Sequence, residues 1–365
     1  MLTLTNCRFP EGPAGSTRNL VIRGSYIEAL TDDVPVGTDV LDCRGALLCP
    51  GFIDLQIYGA GGNLFSARPS IESLLAIEDS LLRAGTTGFM ICIATNSDEI
   101  VYRSLDVLKA HRSQARNCLG VHLEGPYLNP KKRGAHVEQF IRKATLDEVK
   151  KLVEYGEGLI RIMTIAPELQ DEEVLDYLAA QDILLSLGHS DATFAQAMQA
   201  YDRGFATTTH LFNAMSPIQH RAPGIPVAAY LHPSARASII VDGYHVDFEV
   251  IRMAKALMGK RLFLITDAVT ACNEGPYQHH EKDGRFLMPD GTLSGSALTM
   301  PGAVKNCVDR CDIALDEAVR MAAEYPAELA GLQAGKLEAG MPANLVLLDE
   351  SMAVQQVIFR GETIS

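Results

Sequence analysis

The sequence lacks the features that would place the chain in a membrane or on nucleic acid. No stretch reaches about 18 uninterrupted apolar residues, the length that a membrane-spanning helix needs. The N-terminus has no basic segment followed by a long apolar run, so we expect no signal peptide. Acidic residues outnumber basic ones by 45 to 32, and the net charge of −13 argues against a general nucleic-acid or anionic-membrane surface.

The cysteines lack the spacing that is typical of redox and zinc motifs. None of the 8 cysteines forms a Cys-x-x-Cys pair. Cys307 and Cys311 lie four residues apart on a predicted helix, which leaves a metal or redox pair open as an alternative to buried free thiols. A reducing cytoplasm is therefore the expected location.

Both ends of the chain differ in character from its middle. At 365 residues, of which 47% are apolar and 21% charged, the chain suits one large soluble domain and a smaller one. Short strand-like segments separated by turns occupy both termini. They predict a small β domain formed by residues 1–49 and 335–365, with residues 50–334 as the main domain.

The middle alternates apolar, β-branched-rich runs with helix-like segments. The runs are 51–57, 88–94, 118–124, 160–166, 183–189, 205–210, 237–241 and 262–267. Eight strand-and-helix repeats predict an α/β fold, a closed (β/α)8 barrel. A doubly wound open sheet is the alternative, but no Gly-x-Gly-x-x-Gly follows an early strand.

Ionisable residues end several of these runs, at the barrel face where active sites form. Glu124 ends the third run, His189 and His210 end the fifth and sixth, and Asp267 ends the eighth. Taken singly, each residue also fits a structural or capping role. Together, two histidines and a glutamate match the ligands of a catalytic zinc with a position left for water, and Asp267 can carry protons.

Residues near the expected mouth of the barrel indicate the kind of substrate. Arg221 and His245 have the chemistry to bind a phosphate or carboxylate, with a plain surface role as the alternative for each. Asn213 lies just beyond the proposed ligand His210. The other histidines carry no comparable context and are expected to be surface or structural residues: His111, His220, His232, His279 and His280.

Taken together, these segments resemble the N-acetylglucosamine-6-phosphate deacetylases of the amidohydrolase superfamily. The resemblance runs over nearly the whole chain. It is densest at residues 50–56, 122–130, 188–192, 209–215, 265–268 and 293–300. It implies a distorted (β/α)8 TIM barrel with a small β-sandwich formed by both termini. It also implies hydrolysis of N-acetyl-D-glucosamine 6-phosphate to D-glucosamine 6-phosphate and acetate, in amino-sugar catabolism.

The resemblance also implies a role for each matching residue. Glu124, His189 and His210 would hold one divalent metal; zinc fits best, and iron, manganese and cobalt are compatible. Asp267 would be the general base and then the general acid, and His136 would stabilise the oxyanion. Because part of the phosphate contact in the family comes from a neighbouring subunit, a homodimer is implied. The implied substrate-binding residues are Gln56, Ala135, His136, Asn213, Ala214, Arg221, His245, Leu293, Ser294 and Gly295.

One position departs from the wider superfamily. Many members carry His-x-His at the end of strand one and hold two metals, whereas this chain reads Asp54-Leu55-Gln56. Glutamine is a poor divalent-metal ligand beside imidazole, so a full second site is not expected. The same absence counts against a dihydroorotase-like cyclic amidase or an N-acyl-D-amino-acid deacylase. A catalytically silent sugar-phosphate-binding protein is the alternative from another functional class.

The sequence leaves the role of residues 272–290 open: the segment is either a mobile lid or an ordinary surface loop.

Overall fold

The computed structural model describes residues 1–12 and 15–364, and its strands and helices alternate through the middle of the chain. The strands are β1 (Leu2–Cys7), β2 (Arg18–Arg23), β3 (Tyr26–Thr31), β4 (Asp39–Asp42), β5 (Leu47–Pro50), β6 (Phe52–Ile57), β7 (Gly59–Ala60), β8 (Asn63–Leu64), β9 (Thr86–Ala94), β10 (Cys118–Glu124), β11 (Ile160–Ile165), β12 (Leu184–Leu187), β13 (Thr207–Thr208), β14 (Arg236–Ile239), β15 (Leu262–Leu264), β16 (His280–Lys282), β17 (Arg285–Leu287), β18 (Leu293–Ser296), β19 (Leu345–Leu348), β20 (Val354–Phe359) and β21 (Glu362–Ile364). The α-helices are α1 (Ile71–Arg83), α2 (Asp98–His111), α3 (Leu146–Gly156), α4 (Glu172–Ala179), α5 (Phe194–Asp202), α6 (Gly224–Leu231), α7 (Phe248–Met258), α8 (Met300–Cys311), α9 (Leu315–Ala322) and α10 (Glu324–Leu329). Within the described ranges, none of these helices has the length and apolar character to cross a bilayer.

Eight strands form the central sheet in the order β15-β14-β13-β12-β11-β10-β9-β6. Neighbouring strands from β9 to β15 pair in parallel. A parallel bridge between Ile57 and Ala268 joins the two ends of the sheet. The (β/α)8 barrel predicted from the eight apolar runs is therefore confirmed.

The barrel strands appear in the sequence as continuous apolar runs because both of their faces are covered. Every residue of β6 and of β9 is buried. Helices such as α3 and α9 instead bury one face only. α5 begins with a capping box, in which Thr193 and Gln196 each accept a backbone hydrogen bond from the other.

The terminal strands form two four-stranded sheets, ordered β3-β2-β1-β4 and β21-β20-β19-β5. Buried apolar side chains from both sheets share one core, as a β-sandwich requires. They include Leu4, Leu20, Ile22, Leu48, Leu345 and Ile358. The predicted small sandwich formed by both termini is therefore confirmed.

The chain divides into two compact units. One comprises Met1–Asp54, Asp79–Gly88 and Thr299–Ser365, and the other comprises Leu55–Glu78 and Phe89–Leu298. Helices α8 to α10 thus group with the terminal sheets. The boundaries predicted from the sequence, 1–49 with 335–365 and 50–334, stay a prediction, and residues 13, 14 and 365 lie outside the described residues.

The segment whose role the sequence left open, 272–290, contains ordered secondary structure. β16 and β17 form an antiparallel hairpin that pairs with β18. Cys272 and His279 exchange backbone hydrogen bonds before the hairpin begins.

All eight cysteines are free thiols, among them the buried Cys307 and Cys311 of α8.

Candidate metal centre and substrate cavity

A cavity of about 160 Å³ brings most of the predicted site residues together. Its lining includes the three predicted metal ligands and both predicted catalytic residues. Gln56 and Arg221 are the predicted residues that do not line it. The predicted residues that line it are Glu124, Ala135, His136, His189, His210, Asn213, Ala214, His245, Asp267, Leu293, Ser294 and Gly295.

Unusual backbone conformations follow the ends of the barrel strands. His189, His210 and Asp267 have positive φ angles of 47°, 34° and 54°. Residues with a Cβ rarely adopt this left-handed region, and such strain concentrates at functional sites. The apolar runs are longer than the strands because the chain leaves the sheet at these residues.

Glu124, the last residue of β10, is followed by a glycine that the geometry requires. Gly125 has a φ of 88°, and a Cβ there would lie 2.1 Å from Thr95 Oγ1. That hydroxyl donates to the Glu124 carbonyl at 3.1 Å. The close approach of Thr95 therefore fixes the backbone that presents the Glu124 carboxylate.

Three potential metal ligands form a small triangle. Glu124 Oε1 lies 3.0 Å from His210 Nε2 and 3.3 Å from His189 Nε2. The two imidazole nitrogens are 3.1 Å apart. Tetrahedral ligands at about 2.0–2.1 Å from zinc are roughly 3.3 Å from one another. The donor set and its spacing therefore fit one divalent cation.

The hydrogen-bond partners of His189 and His136 distinguish their roles. His189 Nδ1 lies 2.8 Å from the Lys132 carbonyl, so it carries the proton and leaves the Nε2 lone pair for a cation. His136 Nδ1 instead accepts from the Thr95 N–H at 3.3 Å. The neutral His136 ring therefore carries its proton on Nε2, which lies 3.1 Å from Glu124 Oε2.

Glu124, His136 and His189 also form a group whose ligand atoms lie within 4.8 Å of one another. His136 is the poorer ligand of this group because its Nε2 is a hydrogen-bond donor. His210 Nε2 faces Glu124 and His189, while its buried Nδ1 has no hydrogen-bond partner among the described residues. We therefore favour the triangle that contains His210.

The charge of Glu124 follows from its surroundings. Burial raises the pKa of this carboxyl, but the positive charges that His189 and His136 carry when protonated, together with their hydrogen bonds, oppose burial and hold the pKa well below its ordinary value. Glu124 is only 1% exposed. It is therefore a buried anion with imidazoles on both sides.

Two side chains from the end of the first barrel strand also reach this carboxylate. Gln56 Nε2 donates to Glu124 Oε1 at 3.0 Å and to Asp267 Oδ1 at 2.7 Å. The Tyr58 hydroxyl donates to Glu124 Oε2. Gln56 does not line the cavity, so its predicted substrate contact stays a prediction.

From the sequence, residues 54–56 were the expected counterpart of the His-x-His motif. In the structure, the two side chains that meet the Glu124 carboxylate are instead those of Gln56 and Tyr58. Sequence reasoning missed Tyr58. The alternation of side chains along an extended chain was the available signal, because residues two apart point to the same side.

The side of the cavity predicted to bind phosphate carries a second polar pair. His245 Nδ1 lies 2.6 Å from Asp242 Oδ2. Burial raises the pKa of Asp242, but the hydrogen bond and charge of His245, together with the backbone N–H groups of His245 and Tyr244, outweigh burial and lower the pKa overall. Arg221 is exposed, in a turn closed by the Gln219–Ala222 bridge. Its predicted phosphate contact stays a prediction.

Two further cavity residues come from the 272–290 segment. His279, expected to be surface or structural, is 4% exposed and lines the cavity. Its Nδ1 lies 2.9 Å from Ser294 Oγ, and burial, helped by His280, lowers its pKa to about 4. Tyr277 also lines the cavity, and its hydroxyl donates to the Thr95 carbonyl at 2.5 Å. No motif in the sequence marked either residue.

Known proteins are similar to this chain in both sequence and fold. The amidohydrolase family model matches residues 47–364. The chain is 35% identical over 390 residues to the N-acetylglucosamine-6-phosphate deacetylase of Bos taurus, which covers 100% of this chain and 95% of that protein. It is 34% identical to the N-acetylglucosamine-6-phosphate deacetylase structure from Pasteurella multocida, with a TM-score of 0.93 and coverage of 100% and 99%. An N-acetylgalactosamine-6-phosphate deacetylase from Escherichia coli O157:H7 is 30% identical over 349 residues, with 91% of each chain covered.

A closed barrel with two imidazoles and two carboxylates at its strand ends, matched over most of its length by the family model, defines the class. The chain belongs to the amidohydrolase family, a family of hydrolases. Within that family it belongs with the N-acetylglucosamine-6-phosphate deacetylases. The family and the buried glutamate–histidine cluster indicate a site for a divalent metal ion.

Proposed function

We propose that the chain hydrolyses N-acetyl-D-glucosamine 6-phosphate to D-glucosamine 6-phosphate and acetate, as an enzyme of amino-sugar catabolism. The observation that carries the proposal is the triangle of Glu124 Oε1, His189 Nε2 and His210 Nε2 beside Asp267, in a chain similar to such deacetylases along its whole length. Zinc is the ion that this ligand set fits best, while iron, manganese and cobalt fit the same donors. A homodimer in the cytoplasm is part of the proposal.

A divalent ion held by Glu124, His189 and His210 would polarise the acetyl carbonyl and make a water molecule more acidic. Asp267 takes the proton of the attacking water and later delivers it to the amine nitrogen as the C–N bond breaks. The Gln56 amide, which donates to Asp267 Oδ1 at 2.7 Å, holds this carboxylate in place. Asp267 therefore acts from a fixed position.

His136 supplies a donor for the acetyl oxygen. Its Nε2 carries the proton because Nδ1 accepts from the Thr95 N–H. This donor lies 3.1 Å from Glu124 Oε2. As negative charge develops on the carbonyl oxygen, the His136 N–H turns to it and stabilises the oxyanion.

The rest of the cavity would bind the sugar phosphate. Asn213, the Ala214 backbone and His245, residues that line the cavity, would bind the phosphate and the sugar, and Asp242 fixes the proton of His245 on Nδ1. Ala135 and the residues Leu293, Ser294 and Gly295 also line the cavity and would contact the sugar. Arg221 is proposed to reach the phosphate across the homodimer interface.

The test is acetate release from N-acetylglucosamine 6-phosphate, with metal analysis of the same preparation before and after treatment with a chelator. We expect about one divalent ion per chain and a loss of activity on chelation that the metal restores. A chain that binds the sugar phosphate without metal and releases no acetate would favour the silent binding protein. Because one relative is named for the galactose epimer, N-acetylgalactosamine 6-phosphate is assayed in parallel.

A further inference from the structure

We infer that Tyr58 is a positioning residue of the proposed metal centre. Its hydroxyl holds Glu124 Oε2, the oxygen opposite the one that faces His189 and His210, and it retains that hold when His136 turns to the substrate. The inference rests on the proposed function, because it assigns a partner to the carboxylate that would ligate the metal.

The two oxygens of the Glu124 carboxylate have different surroundings. Oε1 faces His189 Nε2, His210 Nε2 and the Gln56 amide within 3.3 Å. Oε2 instead accepts from the Tyr58 hydroxyl and from His136 Nε2. A carboxylate oxygen already occupied by two donors is a poor second ligand. Glu124 would therefore ligate through Oε1 alone, which keeps a coordination position open for the reaction.

His136 has one N–H and two possible acceptors for it, Glu124 Oε2 and the acetyl oxygen of the substrate. Its only N–H is at Nε2, because Nδ1 accepts from Thr95. When that N–H moves to the acetyl oxygen, Glu124 Oε2 loses a donor inside a site where the carboxylate is only 1% exposed. A buried anion left without a donor is costly. Tyr58 reduces this cost because its own hydrogen bond to Oε2 remains.

The position of Tyr58 is well defined by its neighbours. Its backbone N–H donates to the Ala268 carbonyl at 3.0 Å, and its carbonyl accepts from Phe65 at 3.1 Å. Its ring packs against a buried apolar group that contains Leu64, Ala94 and Val269. These contacts fix the direction of the hydroxyl, so the bond to Glu124 does not depend on a mobile side chain.

The variant Tyr58→Phe removes the hydroxyl and keeps the ring. We expect zinc to bind about tenfold more weakly, as is typical when a group behind a metal ligand is lost. In the cobalt-substituted protein, we expect weaker visible absorption, because Oε2 becomes available and the coordination number rises. Tyr155→Phe is the matched control: Tyr155 donates to Asp106 at the surface, at 2.6 Å, and its loss should alter neither measurement.

A kinetic measurement tests the release of His136. At saturating metal, Tyr58→Phe should lower kcat about tenfold with little change in KM. The same substitution should cost much less in a His136→Ala background, because no donor then moves from Glu124 to the substrate. Equal losses in both backgrounds would overturn this part of the inference.

The outcomes separate the inference from the proposed function. Zinc affinity and a cobalt spectrum unchanged by Tyr58→Phe would overturn the role of Tyr58, even if the wild type deacetylates the substrate. Weaker zinc binding and an altered spectrum in Tyr58→Phe would support that role, even if the wild type releases no acetate. In that second case the proposed substrate is wrong, and the assignment of Tyr58 to the metal centre stands.

Discussion

Replacing Gln56 with leucine removes one amide group that two buried carboxylates share. Gln56 Nε2 lies 3.0 Å from Glu124 Oε1 and 2.7 Å from Asp267 Oδ1. The two oxygens are therefore at most about 6 Å apart, where two negative charges repel by roughly 3 kcal/mol at an effective dielectric constant of about 20. The amide offsets this repulsion with two charge-assisted hydrogen bonds of about 1.5–3 kcal/mol each, before the loss of hydration is counted.

We expect Gln56→Leu to lower the free energy of unfolding of the metal-free protein by about 2–4 kcal/mol. For a chain of 365 residues this corresponds to a fall in melting temperature of roughly 3–5 °C. Zinc should recover part of the loss, because the cation replaces the amide as the partner of Glu124. The measurement is thermal unfolding by circular dichroism, with and without zinc.

Gln170→Leu is the matched control. The Gln170 side chain bonds neutral backbone groups: its amide donates to the carbonyls of Tyr127 and Ala166, at 3.3 and 3.2 Å, and its oxygen accepts from the Ala144 N–H at 2.9 Å. Its loss should cost only about 1–2 kcal/mol and should not depend on zinc. Equal losses for the two variants, or a Gln56→Leu loss that zinc leaves unchanged, would refute the reasoning that the amide compensates the two charges.

Three further variants test single residues. Asp267→Asn should keep the metal and lower turnover by about 10²–10⁴-fold, the usual contribution of one acid/base group; near-wild-type acetate release would contradict its role. Arg221→Ala should reduce the preference of kcat/KM for the phosphorylated over the free sugar, because it removes a charge-assisted contact, and an unchanged preference would place the phosphate elsewhere. His279→Leu should reduce the loss of stability on acidification. Since burial lowers the His279 pKa to about 4, the unfolded chain takes up a proton near pH 6.5 that the folded chain resists until about pH 4. Melting temperatures of both proteins between pH 7 and pH 4 that fall in parallel would count against this role of His279.

The meeting of the strand-end residues in one cavity was predictable because barrel closure is a general consequence of the repeating pattern. Once the runs are barrel strands, the ends at Glu124, His189, His210 and Asp267 must share one face. Their ionisable side chains would be costly there unless they shared a ligand. In the structure all four residues line one cavity, as both the strand pattern and the cost of burying ionisable groups predict.

The contributions of His279 and Tyr277 were not predictable in this way. They belong to a segment between the last barrel strand and β18, where the chain forms an antiparallel hairpin rather than a repeat of strand and helix. No periodicity relates such residues to the barrel axis. For Arg221, by contrast, the sequence indicated a role that the single chain does not show. Its chemistry predicted a phosphate contact, but its exposed turn lies outside the cavity lining.

The contacts of Glu124 also support the proposal that this site holds one cation. The Gln56 amide and the Tyr58 hydroxyl both donate to Glu124, and the amide also reaches Asp267. Neutral donors at these two positions partly compensate two anions without offering the imidazole ligands that a second metal prefers. Both donors reach Glu124 because side chains two residues apart in an extended chain point to the same side. The specificity for one metal would therefore lie in Gln56 and Tyr58 together, rather than in Gln56 alone.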